Sequence, residues 1–548
     1  MRIESGVVLA LIVVGLVIPQ QAQQYEPTSP QQPPPSQQAP VPEQPIANAG
    51  SYTLHATSRL VLLDVVVTDK AGRVVNDLTQ NDFAVLENKE AQKIRSFERP
   101  ALHIPPANVT IDSTQALNRL APQAPINIIV LDEFNTRFED MAFAQYSLKK
   151  YLGAQREKLE QPTMLVAVSL GKFTVLHDYT QDRHAIEEAI DHHLAAYPWQ
   201  REQRSWFAEQ YSTAFATLMQ MAGASSGHPG HKNIVWVGRG FPPIHLEDLP
   251  SDTVKGLQSA VEFCVNMLRD ARVTLYTVDP AGLPGNSTLL RTYGPLPGSG
   301  GAPQPMDMYG QYSDETAVGN VQFDDLARAT GGRALHGRNN VDGEIATSIY
   351  EGANFYTLSY IPPDMNRSPS KFRKIEVVLT RPGLTVTTRR GYYVQPPPAP
   401  ENMAKPSQRL QFDLLSAASS RMVYDAVPLT ATLREGAEDI YVVHVLGSAL
   451  GPNAGLTPGA PLDLAFVLDL YDKKDKLLKR VSRNITIPKP SDASLVQYGF
   501  NVEVNLKKSP GAARARFVVR MMQSGKIGTA DLKLESMPAL STRRHRLR

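Results

Sequence analysis

The 548-residue sequence predicts an α/β domain with a mainly parallel sheet, inserted into a small β module and followed by a β-sandwich. Three observations lead to this prediction. Apolar strand-like runs alternate with amphipathic helices between residues 123 and 362, which is typical of a parallel sheet covered by helices on both faces. Two β-rich segments flank this region, and each is too short to form a stable sheet alone. After residue 408, alternating segments separated by turn residues indicate antiparallel sheets.

The N-terminus predicts export. Arg2 precedes an apolar run from Val7 to Ile18, which at roughly a dozen residues is short for a membrane span and right for a signal-peptide core. We expect a signal peptide over residues 1–22, with an uncleaved N-terminal anchor as the alternative and no other membrane span. The protein would then be secreted or periplasmic, in the cell envelope. Residues 23–50 are rich in Gln and Pro and predict a disordered tether.

The remaining domains follow from the pattern of strands. Strand-like runs such as "LVLLDVVVTD" and "FAVLEN" predict an N-terminal β module over residues 51–122. The segment 363–395, with "KFRKIEVVLT", is expected to complete that module, so that the α/β domain is an insertion. A linker over 396–408 leads to an Ig-like β-sandwich over 409–535, in which strands alternate with turn signals. A basic tail occupies residues 536–548.

Composition excludes several classes of function. The net charge is +2, which gives no reason to expect a nucleic-acid partner. Cys264 is the single cysteine, so no intrachain disulfide can form, and its helical surroundings predict a buried, structural thiol. Phosphate-binding glycine loops and the spacings of common zinc sites are absent from the sequence. We therefore expect no enzyme activity.

A run of motifs resembles a known family. The strand "INIIVLD", which ends at Asp132, is followed in order by "KNIVWVGRGF", "ARVTLYTVDPAGL", "LARATGGRAL" and "FYTLSYIPP". This order resembles the von Willebrand factor A-type domain. With the flanking β segments, the chain resembles the bacterial secreted von Willebrand factor A-related family of acidobacterial type, over residues 55–395. The resemblance implies a Rossmann-like α/β fold in an exported protein that binds other proteins.

The resemblance also implies a place for a metal ion. In complete A-type domains, a D-x-S-x-S motif, a later Thr and a later Asp hold Mg²⁺ or Mn²⁺ through hard oxygen ligands. Here the motif reads "DEFNT", so Asp132 and Thr136 match while Phe134 replaces the first serine. The later aspartate is replaced in the sequence "VGRG", where Arg239 adds a positive charge. Ser205 is the candidate for the later threonine, and Thr213 is a poorer candidate.

The motif is therefore degenerate, and we expect a weak or absent site for Mg²⁺ or Mn²⁺ at Asp132 and Thr136. A buried carboxylate at the end of β-strand "INIIVLD" still needs a partner. A cation could provide it, and so could backbone N–H groups of the following turn or the Arg239 guanidinium. Without a metal, Asp132 would cap the next helix or pair with Arg239.

The function expected from the sequence is that of an exported, non-enzymatic protein of adhesion type, whose protein partner is unknown. Binding is expected at the edge of the sheet where the strands end, with Asn135, Ser205 and Arg239 among the contact residues, because such loops on a rigid scaffold commonly bind partners. The alternatives are a structural or assembly component of the cell envelope, or an envelope hydrolase with an unrecognised site. No G-x-S-x-G nucleophile elbow supports the hydrolase.

Overall fold

The computed structural model has a mixed α/β fold with one parallel-sheet region and several antiparallel sheets. All the residues that it describes belong to one compact unit, Leu60–Arg548. The predicted signal peptide, tether and basic tail, and most of the predicted linker, lie outside the described residues. The structure describes residues 60–105, 108–169, 172–194, 204–241, 243–245, 250–281, 320–336, 339–362, 372–394, 407–436, 439–451, 460–507 and 509–534.

Strands come first along the chain, and strands and helices then alternate. The strands before residue 105 are β1 (Val61–Thr68), β2 (Phe83–Glu87), β3 (Glu90–Gln92) and β4 (Ser96–Glu98). The strands from there to residue 362 are β5 (Ile126–Asp132), β6 (Lys158–Ser169), β7 (Lys172–Asp182), β8 (Lys232–Val237), β9 (Ile244–His245), β10 (Val273–Val278), β11 (Asn320–Val321), β12 (Ala334–Leu335) and β13 (Tyr356–Tyr360). The helices of the same region are α1 (Thr114–Leu120), α2 (Phe138–Gly153), α3 (Arg183–Asp191), α4 (Arg204–Ala224), α5 (Ser251–Asp270), α6 (Phe323–Thr330) and α7 (Val341–Ala353).

The central sheet has the strand order β12-β10-β8-β5-β6-β7. Its strands are parallel except for β7, which runs antiparallel to β6 at one edge. Side chains of β5 alternate between two hydrophobic cores: Ile128 and Val130 face the core that contains α4 and α5, while Ile129 and Leu131 face the core that contains α2 and α7. Helices on both faces explain why the strand is apolar from Ile128 to Leu131. Among the described helices, none has the combination of length and apolar character that crossing a membrane requires.

The β segments that flank the α/β region pair with each other. The strands after it are β14 (Phe372–Leu379), β15 (Thr385–Thr387) and β16 (Gly391–Tyr393). β14 pairs with β2, and β15 pairs with β1, both in antiparallel orientation. The two resulting sheets, β15-β1-β13-β4 and β16-β14-β2-β3, share one hydrophobic core. Each flanking segment therefore depends on the other for its hydrogen-bond partners.

Two boundaries predicted from the sequence are wrong. The segment that contains β13 was assigned to the α/β domain at residues 123–362, but β13 pairs with β1 and β4 in the β module. A short, fully buried strand has the same apolar pattern in either sheet, so periodicity could not assign it. The end of the β module at residue 122 is also wrong, because Ile111 and Leu117 of the α1 region pack into the core of the α/β domain.

The C-terminal region contains two sheets around one core. Its elements are α8 (Gln408–Ser419), β17 (Leu429–Leu433), β18 (Ile440–Val445), β19 (Leu462–Tyr471), β20 (Leu477–Ile487), α9 (Ala493–Tyr498), β21 (Phe500–Asn505), β22 (Arg514–Met521) and β23 (Ile527–Lys533). One sheet has the order β17-β18-β21 and the other β20-β19-β22-β23. These two sheets face each other across the shared core.

The expectation that residues 409–535 contain only strands is wrong, because α8 is helical. Ser407 caps its first turn by accepting a hydrogen bond from the Leu410 amide at 3.1 Å. Ala417 and Ala418 of α8 are buried in the same core as α4 and α5, together with Val518 of β22. The C-terminal sandwich is therefore joined to the α/β domain by a continuous apolar contact through α8.

The predicted burial of Cys264 is confirmed. Its side chain lies in α5, completely buried in the core between the central sheet and the C-terminal region. Burial raises the pKa of this thiol to about 12. The thiolate that would react or bind a metal is therefore strongly disfavoured.

Candidate functional site

Asp132 lies at the carboxyl end of β5, completely buried, at the edge of the central sheet where ligand sites of open α/β sheets occur. Its Oδ1 accepts a hydrogen bond from the Asn135 amide at 3.0 Å. Its Oδ2 accepts one from Trp236 Nε1 and one from the Gly240 amide, both at 3.0 Å. Asp132 thus links the turn after β5 to the loop after β8 through three N–H donors. We call this edge the rim: residues 132–140, 238–241 and Asp279.

Two glycines let the loop after β8 approach Asp132 closely. Gly238 has a φ of +147°, and a Cβ atom there would lie 2.5 Å from Asp132 Cβ and 2.6 Å from Thr136 Oγ1. Gly240 has a φ of +63°, and its Cβ would lie 2.2 Å from the Phe323 ring. Both positions combine an unusual backbone conformation with no room for a side chain. The "VGRG" sequence is therefore required by the shape of the rim.

The residues predicted for the rim have the following places. Thr136 Oγ1 lies 3.3 Å from the Arg239 amide and accepts its hydrogen bond. The Asn135 side-chain amide lies beside the Asp132 carboxylate, yet neither of its polar atoms makes a hydrogen bond of ordinary geometry to another described residue. Ser205 is the second residue of α4, and its side chain lies outside the described part of the chain. Thr213 lies further along the same helix.

Two expectations for Asp132 without a metal are wrong. The Arg239 guanidinium does not pair with Asp132: its Nε lies 3.4 Å from Asp279 Oδ1, at the end of the neighbouring strand β10. Asp279 is one third exposed, so an ion pair there needs less desolvation than one at the fully buried Asp132. Asp132 does not cap α2 either, because that helix starts at Phe138, after Arg137. The third possibility, backbone N–H groups of the following turn, is realised only by the Asn135 amide, while the other two donors are the Trp236 indole and the Gly240 amide.

Two further carboxylates lie in the rim. Asp140 Oδ2 is buried and has no hydrogen-bond partner among the described residues. Burial raises the pKa of Asp140, and the charges of Arg239 and Arg137 oppose that rise. Glu133 is almost completely buried on the other side of β5, where its Oε1 lies 2.5 Å from His193 Nε2. Glu133 is therefore paired within the fold, whereas Asp140 Oδ2 is buried without a hydrogen-bond donor among the described residues.

The residues around Asp132 do not fit a divalent metal ion. Both Oδ2 lone pairs are used by N–H donors, and Oδ1 has one left. Phe134 is buried where a hydroxyl ligand would be needed, and the donors that converge on the carboxylate carry partial positive charge. Within the described residues, no group of three or more His, Cys, Asp or Glu side chains could hold a metal ion.

Asp132 makes a testable contribution to the pH dependence of stability. Burial raises its pKa from 3.8 to about 6, against the effect of the N–H donors. The folded state then binds this proton more tightly than the unfolded state, so the contribution is largest below pH 3.8 and is lost as the pH rises through about 6. Across that window the free energy of unfolding of the wild type should fall relative to Asp132→Asn by on the order of 3 kcal/mol. Denaturant titrations at several pH values measure this difference, and parallel pH profiles for the two proteins would contradict the prediction.

The sequence did not single out two important groups of residues. Trp236 is one, because a tryptophan in an apolar strand is typical of a hydrophobic core. Only the structure shows that its Nε1 donates a hydrogen bond to Asp132. The other lies at the opposite end of the sheet, where Asp64 of β1 accepts from His231 Nδ1 at 2.8 Å and from Arg272 Nη2 at 2.7 Å. In the sequence, His231 follows a proline and a glycine in "HPGHKN", a pattern typical of a loop. Only its long-range partner reveals the role, which is to join the β module to the α/β domain.

Comparisons with known proteins give weak likenesses only. No protein-family model and no curated protein matches this chain. Among solved structures, proximal thread matrix protein 1 from the mussel byssus has 11% identity and a TM-score of 0.19 over 29% of this chain, which spans 38% of that protein. The SpRpn10 VWA domain has 13% identity and a TM-score of 0.17, with 30% of this chain and 93% of that domain covered. The manganese-loaded Plasmodium vivax TRAP protein has 10% identity and a TM-score of 0.22, with 49% and 94% covered. Likenesses of this size carry no argument about the site.

Proposed function

We propose that this chain is an exported, non-enzymatic protein of adhesion type that binds a protein partner at the rim of a von Willebrand A-type domain. Support for the A-type assignment comes from the sequence motifs together with a parallel sheet that has helices on both faces and one antiparallel edge strand. The C-terminal region is proposed to be an Ig-like sandwich. When β17 is counted as the first strand of this region, the first, second and fifth strands lie opposite the third, sixth and seventh, as in Ig domains. The fourth strand lies beside the third.

The observation that carries the binding proposal is the set of buried polar atoms in the rim without partners among the described residues. Asp140 Oδ2 and Asn135 Oδ1 are such atoms, while the Asn135 side chain also interacts with the Asp132 carboxylate. A buried polar group without a hydrogen bond costs free energy, so its presence in a folded protein needs an explanation. Asn135 and Asp140 are partly exposed residues although these atoms are buried, so a partner that shifts the turn after β5 and supplies donors and acceptors would satisfy them on binding.

The surroundings of these atoms fit a protein partner. Phe138, the first residue of α2, is 60% exposed beside the polar atoms of the rim. Arg239 lies between the carboxylates of Asp140 and Asp279. Aromatic and arginine side chains next to polar groups are enriched in protein interfaces. Because Asp132 is satisfied by N–H donors, this recognition does not need a divalent ion.

Affinity capture with the whole chain as bait tests the proposal. Phe138→Ala removes an exposed aromatic side chain, and Asp140→Asn removes the charge and replaces one carboxylate oxygen with a donor. Both variants should lose a partner that the wild type captures from an envelope extract, and added chelator should leave the wild-type result unchanged. Tyr498→Ala is the matched control, because Tyr498 is an exposed aromatic residue, 67% accessible, in α9 of the C-terminal region. Capture that survives in both rim variants, or that is lost equally in the control, would contradict the proposal.

A further inference from the structure

One long strand of the C-terminal region has an open edge. β20 lies at the end of the sheet β20-β19-β22-β23, and among the described residues no strand pairs with its outer side. None of its 11 residues is buried, and most are exposed. The opposite end of the same sheet is covered, because Asp425 forms a β-bridge with Gly528 of β23. A long, accessible edge strand is a template for pairing with another chain.

The unpaired backbone groups of β20 follow from the register of the sheet. The Asp463 carbonyl oxygen of β19 accepts a hydrogen bond from the Met522 amide, beside β22, at 2.9 Å. Backbone groups alternate in direction along a strand, so those of Phe466, three residues later, point to β20. Phe466 faces Arg483 there. The N–H and C=O groups of Ser482, and of every second residue from it, therefore point away from the sheet.

The side chains of β20 are basic. The strand contains Lys479, Arg480 and Arg483 and no acidic residue. Arg480 is paired with Asp469 of β19, its nitrogen 2.6 Å from the carboxylate oxygen. Side chains alternate between the two faces of a strand, so Lys479 and Arg483 lie on the face opposite to this ion pair. Both are exposed.

The neighbouring strand provides no acid for these two cations. Lys479 and Arg483 flank Val481, which packs against the core of the sandwich. Their cross-strand neighbours on β19 are Leu470 and Phe466, which are apolar and buried. A strand added at the free edge would face both cations at positions of the closer kind, with Cα atoms about 4.5 Å apart. Acidic side chains at those positions would form cross-strand ion pairs.

We propose that the β20 edge binds an extended segment of a partner protein that has two acidic residues four positions apart and an apolar residue midway between them. The segment would continue the hydrogen-bond ladder at Ser482 and its alternate neighbours. Its acids would pair with Lys479 and Arg483, and its apolar residue would lie beside Val481. The edge belongs to the C-terminal region, so this proposal does not depend on the function proposed for the rim.

A second copy of this chain is a poorer occupant of the edge. If two β20 strands paired in antiparallel orientation about Val481, Lys479 of each copy would face Arg483 of the other. Like charges directly opposite each other destabilise a strand pair. The same two cations that attract an acidic segment therefore oppose pairing of the protein with itself.

Fluorescence anisotropy of the whole chain with a labelled synthetic peptide tests the proposal. The peptide alternates threonine with valine, valine, glutamate, valine and glutamate, so that its glutamates can face Arg483 and Lys479 in an antiparallel pair. Saturable binding is expected, and added salt should weaken it by screening the exposed charges. A control peptide with lysine in place of both glutamates should bind about tenfold more weakly or worse, because both ion pairs become like-charge contacts.

Two pairs of variants locate the binding to this edge. Ser482→Pro removes an outward N–H group that the ladder to β19 does not use, and proline is tolerated at such edge positions. It should abolish binding, while Ser482→Thr, its matched control, should retain it. Arg483→Glu should weaken binding of the acidic peptide by about tenfold, and Arg483→Lys should retain it. This second pair keeps the test sharp if the proline variant folds poorly.

Four results would overturn the proposal. The first is no saturable binding of the acidic peptide at millimolar concentration, and the second is equally tight binding of the lysine peptide. The third is unchanged binding in Ser482→Pro or in Arg483→Glu. The fourth is a wild-type dimer, detected by light scattering, that Ser482→Pro converts to a monomer, because a second copy would then occupy the edge.

Discussion

Replacing Asp64 with alanine is expected to lower the free energy of unfolding by about 3–5 kcal/mol, because it leaves a buried cation without its partner. The Asp64 side chain is 6% exposed and that of Arg272 18% exposed. Asp64 also accepts hydrogen bonds from His231 and from Thr357 Oγ1. Burial alone would raise the pKa of Asp64, but Arg272 and His231 together hold it well below its usual range. The folded state thus stabilises the charged form of this carboxylate.

Guanidinium unfolding of the wild type, Asp64→Ala and Asp77→Ala measures this effect. Asp77 is the matched control, because it lies in the same β module and pairs with Arg381 at the surface, where its side chain is 71% exposed. Its replacement should change stability little. Equal effects of the two substitutions would show that the Asp64 cluster does not join the β module to the α/β domain as described here.

Replacing Trp236 with alanine is expected to cost about 3–5 kcal/mol, because it removes the largest fully buried side chain and leaves a cavity. The indole packs against Phe323 with ring centroids 4.9 Å apart. Its Nε1 also donates to Asp132 at 3.0 Å. Trp236→Phe keeps most of the packing and removes only the hydrogen bond, so it should cost about 1–3 kcal/mol.

The difference between the two Trp236 variants separates packing from the support of the rim. It is measured by chemical unfolding at one pH above 6, where Asp132 is ionised. If phenylalanine is as costly as alanine, the hydrogen bond to Asp132 accounts for the whole effect and the packing argument fails. If phenylalanine costs nothing, Asp132 does not need the indole donor.

The central sheet could be predicted because its physical signal is local. The run "INIIVLD" is apolar at every position before its acid except Asn127, and a strand that is buried on both faces is the consequence. The place of Asp132 at the carboxyl end follows from the same run. The helix α8 also had a local signal, the capping Ser407 before an amphipathic segment, but the strand patterns around it dominated the interpretation.

The partners of the key residues could not be predicted, because they depend on contacts between distant parts of the chain. Trp236 lies 104 residues from Asp132, and Arg272 lies 208 residues from Asp64. Sequence spacing carries no information on such pairs. Arg239 is an example. Its position in the motif pointed to Asp132, but it pairs with Asp279, a more exposed carboxylate at the end of β10, where an ion pair needs less desolvation.

Three N–H donors, and not a metal ion, hold Asp132 and so shape the rim. Thermal melting of the wild type and of Asp132→Ala, each with millimolar Mg²⁺ or Mn²⁺ and with chelator, tests it most directly. The variant is expected to be less stable by about 1–3 kcal/mol, since three donors lose their acceptor, and metal is expected to change neither melting temperature. A higher melting temperature for the wild type with metal, absent in Asp132→Ala, would contradict the account.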